Sequence, residues 1–254
     1  MFKKIIFGKP LKIIVSAITV FSVIAFANRE YDNELCNDVV ITIHNQHDNY
    51  YMDDHDLMNI INGSTEGVLI GKPFNSINLK EIENRIIESP FIRNAQVYKD
   101  LKGNLVANAT LRRPVARIIR PDKPDAYISE EGILLPVSEK FNSRVVLISG
   151  KGTDAIVSAE QSILDSNPAL FDLIQYVNED EFWKAQIAQI DIDIQGEVTL
   201  YPQVTKQYIE FGQITDVDNK FKKLRIFYKR VLPLKGWNYY DKVNLKYKGQ
   251  IIAE

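Results

Sequence analysis

The amino-acid sequence predicts an α+β protein: a single N-terminal transmembrane helix, a compact β-α-α-β-β domain, then a β-rich domain with a mostly antiparallel sheet and flanking helices. Three observations carry this expectation. Residues 13–27 form the only long apolar run. Residues 39–115 pass from a β-branched run through two stretches of helical spacing to two strand-like runs joined by a tight turn. From residue 116 onward, short strand-like runs recur between glycine turns, interrupted by a few segments of helical period.

The apolar run carries opposite charge on its two flanks. Lys3, Lys4, Lys9 and Lys12 precede it, and Glu30, Asp32 and Glu34 follow it, with Arg29 the exception. Cationic flanks stay in the cytoplasm. Residues 1–12 are therefore expected as a cytoplasmic tail, 13–27 as a transmembrane anchor and 28–38 as a polar tether. A spanning helix needs roughly 17–25 mainly apolar residues, and Leu11, with Lys12 snorkelling, brings the run close to that length. The competing reading is a cleaved signal peptide, because Ala25-Phe26-Ala27 fits the small-x-small cleavage pattern. Both readings export the rest. A lipoprotein would need a small residue before its lipidated cysteine, and Leu35 precedes Cys36.

In the first exported domain, 39–43 is β-branched and reads as a strand. Asp53 or Asp54 caps a short helix through Ile61, which Asn62-Gly63 ends. Asn78 caps a second helix with Leu79, Ile82, Ile86 and Ile87 on one face, ending near Ser89-Pro90. Residues 95–98 form a strand, 100–104 turn at Gly103, and 105–111 return as the second strand of a hairpin. Arg112-Arg113-Pro114 closes this domain, taken as 39–115. The domain from 116 to 254 has strand-like runs at 116–119, 126–128, 145–148, 187–194, 198–201 and 208–211, with turns at Gly132 and Gly196. Segments 169–177 and 181–188 have helical spacing. Residues 216–232 read as one amphipathic helix, with Val217, Phe221, Leu224, Phe227, Tyr228 and Val231 inward and Lys220, Lys222, Lys223, Arg225, Lys229 and Arg230 around the rest. The last strand is expected over 243–251.

Net charge is −2, which gives no strong attraction to nucleic acid. Cys36 is the only cysteine, so no intramolecular disulfide forms and the thiol reads as unremarkable. Gly71-Lys72-Pro73 and Gly150-Lys151-Gly152 do not complete a phosphate loop, and no Gly-x-Ser-x-Gly or His-Glu-x-x-His motif occurs. No catalytic residue, cofactor or small-molecule substrate is expected. His44, His47 and His55 lie near Asp48, Asp53, Asp54 and Asp56, the one cluster with metal-ligand chemistry, but a polar turn and helix cap account for it better and no metal is expected. Asn62-Gly63-Ser64 and Asn108-Ala109-Thr110 formally match glycosylation acceptors, and the hairpin position of the second makes coincidence its better explanation. The basic helix suits an anionic lipid surface or an acidic partner, and a solvated face explains it more simply.

Several stretches in order resemble the FtsQ/DivIB bacterial cell-division family in its Bacteroidetes-like form: the lysine-flanked span; Gly71-Lys72-Pro73-Phe74-Asn75-Ser76-Ile77-Asn78 before the helix with Leu79, Ile82 and Glu83; Ser89-Pro90-Phe91-Ile92-Arg93-Asn94-Ala95-Gln96-Val97-Tyr98; Leu111-Arg112-Arg113-Pro114-Val115-Ala116-Arg117; Tyr127-Ile128, Gly132 and Leu135-Pro136; Arg144-Val145 and Ser149-Gly150; Gly236-Trp237-Asn238; and Val243 through Ile251. The resemblance implies a membrane-proximal POTRA-type domain, a β domain, an uncleaved anchor and no enzymatic activity. It also implies a scaffold at the division septum, single-pass in the inner membrane with its bulk in the periplasm, that joins FtsB-like and FtsL-like partners and regulates septal peptidoglycan synthesis. The very short cytoplasmic tail departs from the family. An unpaired edge strand would serve such a scaffold, because its free backbone groups accept an added strand. The expected partner-binding residues are Asn244, Leu245, Lys246, Tyr247, Lys248, Gly249, Gln250 and Ile251, with Val243, Leu245, Tyr247 and Ile251 inward and Lys246 and Lys248 exposed toward acidic partner groups. Other readings are a different POTRA-type assembly module of the envelope and an exported cell-wall enzyme using the His/Asp cluster.

Overall fold

The computed structural model describes residues 13–24, 34–45, 50–63, 69–138, 140–157 and 162–254. Residues 13–24 are helical (α1). Among the described residues no helix is long and apolar enough to cross a membrane. At about 1.5 Å per residue, α1 reaches roughly 18 Å of the ~30 Å hydrocarbon thickness. The rest of the expected anchor, 25–27, and the tail 1–12 lie outside the described residues.

The chain divides into two compact units: 34–44 with 53–110, after α1, and 45–52 with 111–254. The first contains β1 (Val39–His44), α2 (Asp54–Asn62), α3 (Leu79–Ile87), β2 (Ile92–Lys99) and β3 (Leu105–Leu111), whose last residue passes to the second unit. The order is the β-α-α-β-β read from the sequence. The strands align as β1-β3-β2, with β1 parallel to β3 in register Val39↔Leu105 through His44↔Thr110. The central strand is buried at Leu105, Ala107 and Ala109, whereas edge strand β1 alternates half-buried and exposed. Leu57 and Ile61 of α2 and Ile82 and Ile86 of α3 complete the core, each contributing on the order of 1.5–3 kcal/mol by burial. Ile87, expected on the apolar face, is exposed, because as the last residue of α3 it is turned about 100° from the buried Ile86.

Local chemistry sets the boundaries. Asp53 Oδ1 accepts from Asp56 N at 2.9 Å and Asp56 Oδ2 accepts from Asp53 N at 3.0 Å, a reciprocal capping box. Arg85 Nη1 donates to Ile61 O at 3.0 Å and ties the end of α2 to α3. Asp100 Oδ1 accepts from Lys102 N and Asn104 N, and Gly103 takes φ +76° to close the hairpin. Residues at the end of the expected tether belong to this unit: Cys36 is buried, and its amide donates to Lys72 O at 2.8 Å.

The second unit is built on a mixed sheet, nine-stranded among the described residues, in the order β12-β11-β10-β9-β8-β7-β4-β5-β6. Its elements are β4 (Pro114–Ile118), β5 (Ala126–Ser129), β6 (Leu134–Pro136), β7 (Val146–Ser149), α4 (Thr153–Val157), α5 (Ile163–Ser166), α6 (Pro168–Glu179), α7 (Glu181–Gln186), β8 (Ile187–Ile192), β9 (Val198–Pro202), β10 (Tyr208–Gly212), α8 (Val217–Ile226), α9 (Leu232–Lys235), β11 (Lys242–Asn244) and β12 (Ile252–Ala253). The sheet is more mixed than the mostly antiparallel expectation. β4 and β7, β7 and β8, and β10 and β11 run parallel, and the other neighbours are antiparallel. The reason is connectivity: parallel neighbours need long crossovers, and α4–α7 and α8–α9 supply two of them. Both crossovers step the same way between similarly directed strands, so right-handedness places their helices on one face. Tyr176 of α6 accordingly stacks on Phe221 of α8 at 4.7 Å, and Trp183 lies 4.9 Å from the same ring. The opposite face carries half-buried polar groups such as Gln189, Asp191, Thr199 and Glu210. One wet face explains why these strands alternate legibly.

Two helix expectations change. Residues 181–188 do not stay helical, because Ile187 and Ala188 already pair into β8. The single helix expected over 216–232 is α8, a π-turn at Phe227–Val231, and α9. Pro233 would set its ring against the carbonyl of Lys229 in a regular helix, and the wider turn relieves this. Lys220, expected outward, is buried.

Candidate partner-recruiting edge

The C-terminal end of the second unit is the candidate site. β11 runs parallel to β10 in register Ile209↔Val243, and Leu245 N donates to Glu210 O at 2.9 Å. Val243 and Leu245 are fully buried. β12 pairs antiparallel to β11, with Val243↔Ala253 and Asn244↔Ile252. Lys242 and Glu254 exchange both backbone hydrogen bonds at 3.0 Å. In an antiparallel pair the bonded positions alternate. The backbone groups of Ile252 and Glu254 therefore face β11, and those of Ile251 and Ala253 face out from the last strand of the sheet.

The continuous strand expected over 243–251 is absent. The ladder stops at Asn244, whose Oδ1 accepts from Lys246 N at 2.9 Å, and the chain reverses through 246–250 with Gly249 at φ +75°. The side chain of Asn244 competes with the ladder, and the glycine supplies a conformation L-residues avoid. A bulge expected at Gly249 is a full turn. The predicted site residues thus divide. Leu245 is core, Asn244 Nδ2 donates to Glu210 Oε2 at 2.7 Å, and Tyr247, Lys248, Gly249 and Gln250 form an exposed turn. Ile251 is half-buried and leads into β12.

The electrostatics of the turn are set by lysines. Lys246 Nζ pairs with Glu197 Oε2 at 2.6 Å, which raises the ammonium pKa, so this lysine is engaged within the fold. Lys248 forms no pair among the described residues. Lys223 Nζ donates to Tyr247 O at 2.7 Å and Gln250 O at 3.3 Å. Lys220 Nζ donates to Phe211 O at 2.9 Å and Gln213 O at 2.7 Å beneath the Gly212 bend, and burial lowers its pKa. Sequence reading missed β12, Lys223, Glu197 and Glu210. The second apolar pair Ile251-Ile252 after Lys248-Gly249 was the available signal for a hairpin, but no local pattern announces the lysine contacts.

Elsewhere the chemistry is sparse. Ligand atoms of Asp53, His55 and Asp56 lie within 4.8 Å of one another. The two aspartates form the capping box and His55 bonds Asn59. His44 ends β1, and His47 and Asp48 lie outside the described residues. An open cleft of about 1120 Å³ in the second unit is lined by residues including Arg113, Glu130, Arg144, Glu179 and Lys184, with no histidine, cysteine or aspartate.

Among the described residues the chain builds a small three-stranded unit and a larger mixed sheet. The family model described as FtsQ/DivIB, C-terminal related, matches residues 113–254, and the POTRA-like domain model matches 34–110. The first match covers more than half of the chain, and the chain belongs to the FtsQ/DivIB family. No match was found among curated proteins.

Proposed function

We propose that this chain is a non-enzymatic scaffold of the division machinery that recruits and bridges FtsB-like and FtsL-like single-span proteins, and through them regulates septal peptidoglycan synthesis. The observation that carries this reading is the open edge of β12, where Ile251 and Ala253 turn their backbone groups outward. A partner segment adds there as a further strand, its backbone bonds supplying affinity and its side chains specificity. A two-residue edge strand is also a common guard against aggregation. Recruitment is favoured by what adjoins it: Tyr247 is half-exposed, and Lys248 is available to an acidic group of the partner. The scaffold works at the septum from a single inner-membrane span, with residues 1–12 in the cytoplasm and its two units in the periplasm. The charge asymmetry around 13–27 supports this, as do Ile13, Phe21 and Val23 of α1, which expose apolar side chains that lipid would cover.

The test is capture of the external segments of the FtsB-like and FtsL-like proteins of the same cell by the tagged full chain, beside Ala253→Pro. Proline removes an outward N–H and leaves the inward bonds of Ile252 and Glu254 in place. We expect capture by the parent and at least roughly tenfold weaker capture by a variant with unchanged circular dichroism, given the value of buried backbone bonds at an interface. Equal capture by both would refute strand addition at β12. No capture by the parent would direct the search to another envelope partner.

A further inference from the structure

The edge at β12 exists only while 246–250 folds the chain back, and that turn has few internal ties. Its side chains are exposed, and no ladder bond crosses it. Such segments open locally at low cost. One side chain from outside spans it. Lys223 projects from α8, which is fixed in the core by the fully buried Phe221 and Leu224 on either side. Its ammonium holds Tyr247 O at 2.7 Å and Gln250 O at 3.3 Å, the two carbonyls that bracket Lys248-Gly249. No carboxylate pairs with it among the described residues. The ammoniums of Lys220 and Lys246 lie close enough to interact with their neighbours electrostatically, so this arrangement holds against mutual repulsion, with Phe211 O, Gln213 O and Glu197 absorbing the other two charges. Bonds from an ionised donor are stronger than neutral ones.

We propose that Lys223 is the positioning residue of the recruiting edge: by clasping both ends of the 247–250 turn it fixes β12 along β11 and so presents the free backbone of Ile251 and Ala253. The ammonium does not itself touch the partner. The functional half of this inference rests on the recruiting-edge reading, and the structural half does not.

The experiment compares the full chain with Lys223→Met and Lys223→Arg by two readouts. The first is amide exchange of the C-terminal strand without partner, followed at the Glu254 amide, which donates to Lys242 O at 3.0 Å. The second is partner capture. Loss of a charged hydrogen-bonding donor should speed exchange in Lys223→Met roughly tenfold and weaken capture by a similar factor. Arginine offers two forked donors to the same carbonyls, so Lys223→Arg should stay within roughly threefold of the parent in both. A rescue by arginine separates positioning from a general loss of stability, and unchanged exchange across β4 and β8 guards against global unfolding. Unchanged exchange at Glu254 in Lys223→Met overturns the clasp. Weaker capture with unchanged exchange also overturns it, because Lys223 would then be a direct contact. Faster exchange with undiminished capture supports the clasp and removes the recruiting-edge reading instead. If Lys223→Met does not fold, Lys223→Gln, which keeps a neutral donor, must show intermediate exchange for the clasp to stand.

Discussion

Lys220 is one of seven cations between residues 217 and 235, and nothing in the spacing separates it from the others. Its neighbours decide its role: Phe211 O and Gln213 O accept from it, and the Phe211 ring lies 4.5 Å away. Burial lowers its pKa, so the unfolded chain keeps that proton to higher pH, and this group's contribution to stability grows as pH rises toward 10.5. Tyr228 acts in the opposite sense. Its buried hydroxyl lies beside Thr205 and Gln207 outside good hydrogen-bond geometry, and burial, more than those neighbours, sets a raised pKa. The folded chain then keeps the phenolic proton after the unfolded chain has lost it. The stabilisation is complete below the ordinary value of 10.0 and is lost as pH climbs from there through the raised folded value. Chemical denaturation of Tyr228→Phe should therefore show a shallower loss of stability than the parent above pH 10. At pH 7 the two should agree within about 1 kcal/mol, because the hydroxyl makes no well-formed bond. Identical slopes would mean that Tyr228 ionises as freely in the folded chain as in the unfolded one.

At the scale of elements, ends matter more than interiors. The cap of α2 was legible to within one residue, Asp53 or Asp54, because an aspartate just ahead of an apolar period can satisfy an orphan amide, and the structure selects Asp53 with Asp56 closing a capping box. Asp53→Ala should lower the stability of the first unit by about 1 kcal/mol. Faster amide exchange confined to α2 and the strands it packs on would register it, and unchanged exchange would deny the cap any energetic role. The last strand was legible only as β-prone residues. Residues 242–253 have enough apolar character for one long strand, but Asn244 and Gly249 break it into a hairpin. The π-turn at Phe227–Val231 likewise hid in a sequence whose period looks regular, with Pro233 as its one clue.

At the scale of the whole molecule, the proposed orientation rests on the charge near the chain start. Four lysines precede the apolar run and three acids follow it, with one arginine among them. Alkaline phosphatase fused after Glu254 should be active in cells, and a fusion within residues 1–12 should not lead to its export. Activity confined to the cytoplasm would reverse the proposed topology and remove the periplasmic partners with it.

The sequence by itself determined the β-α-α-β-β order of the first unit, the strands β4, β5, β7, β8, β9 and β10 of the second, and the family, but not β6, α4, α5 or β12. These depend on short-range period, caps and turn residues, which act within a few positions of the chain. The β-α-α-β-β unit was readable for that reason, as were strands with one buried and one wet face. Tertiary structure alone decided which strands became parallel neighbours, that 34–38 joins the first unit and 45–52 the second, and that Leu245 is core while Ile251 and Ala253 border the open edge. It also turned Lys220, Lys223 and Lys246, alike in sequence, into a buried tie, a clasp on a turn and an ion pair. Each outcome depends on groups distant along the chain meeting in space, and such meetings leave no local pattern to read.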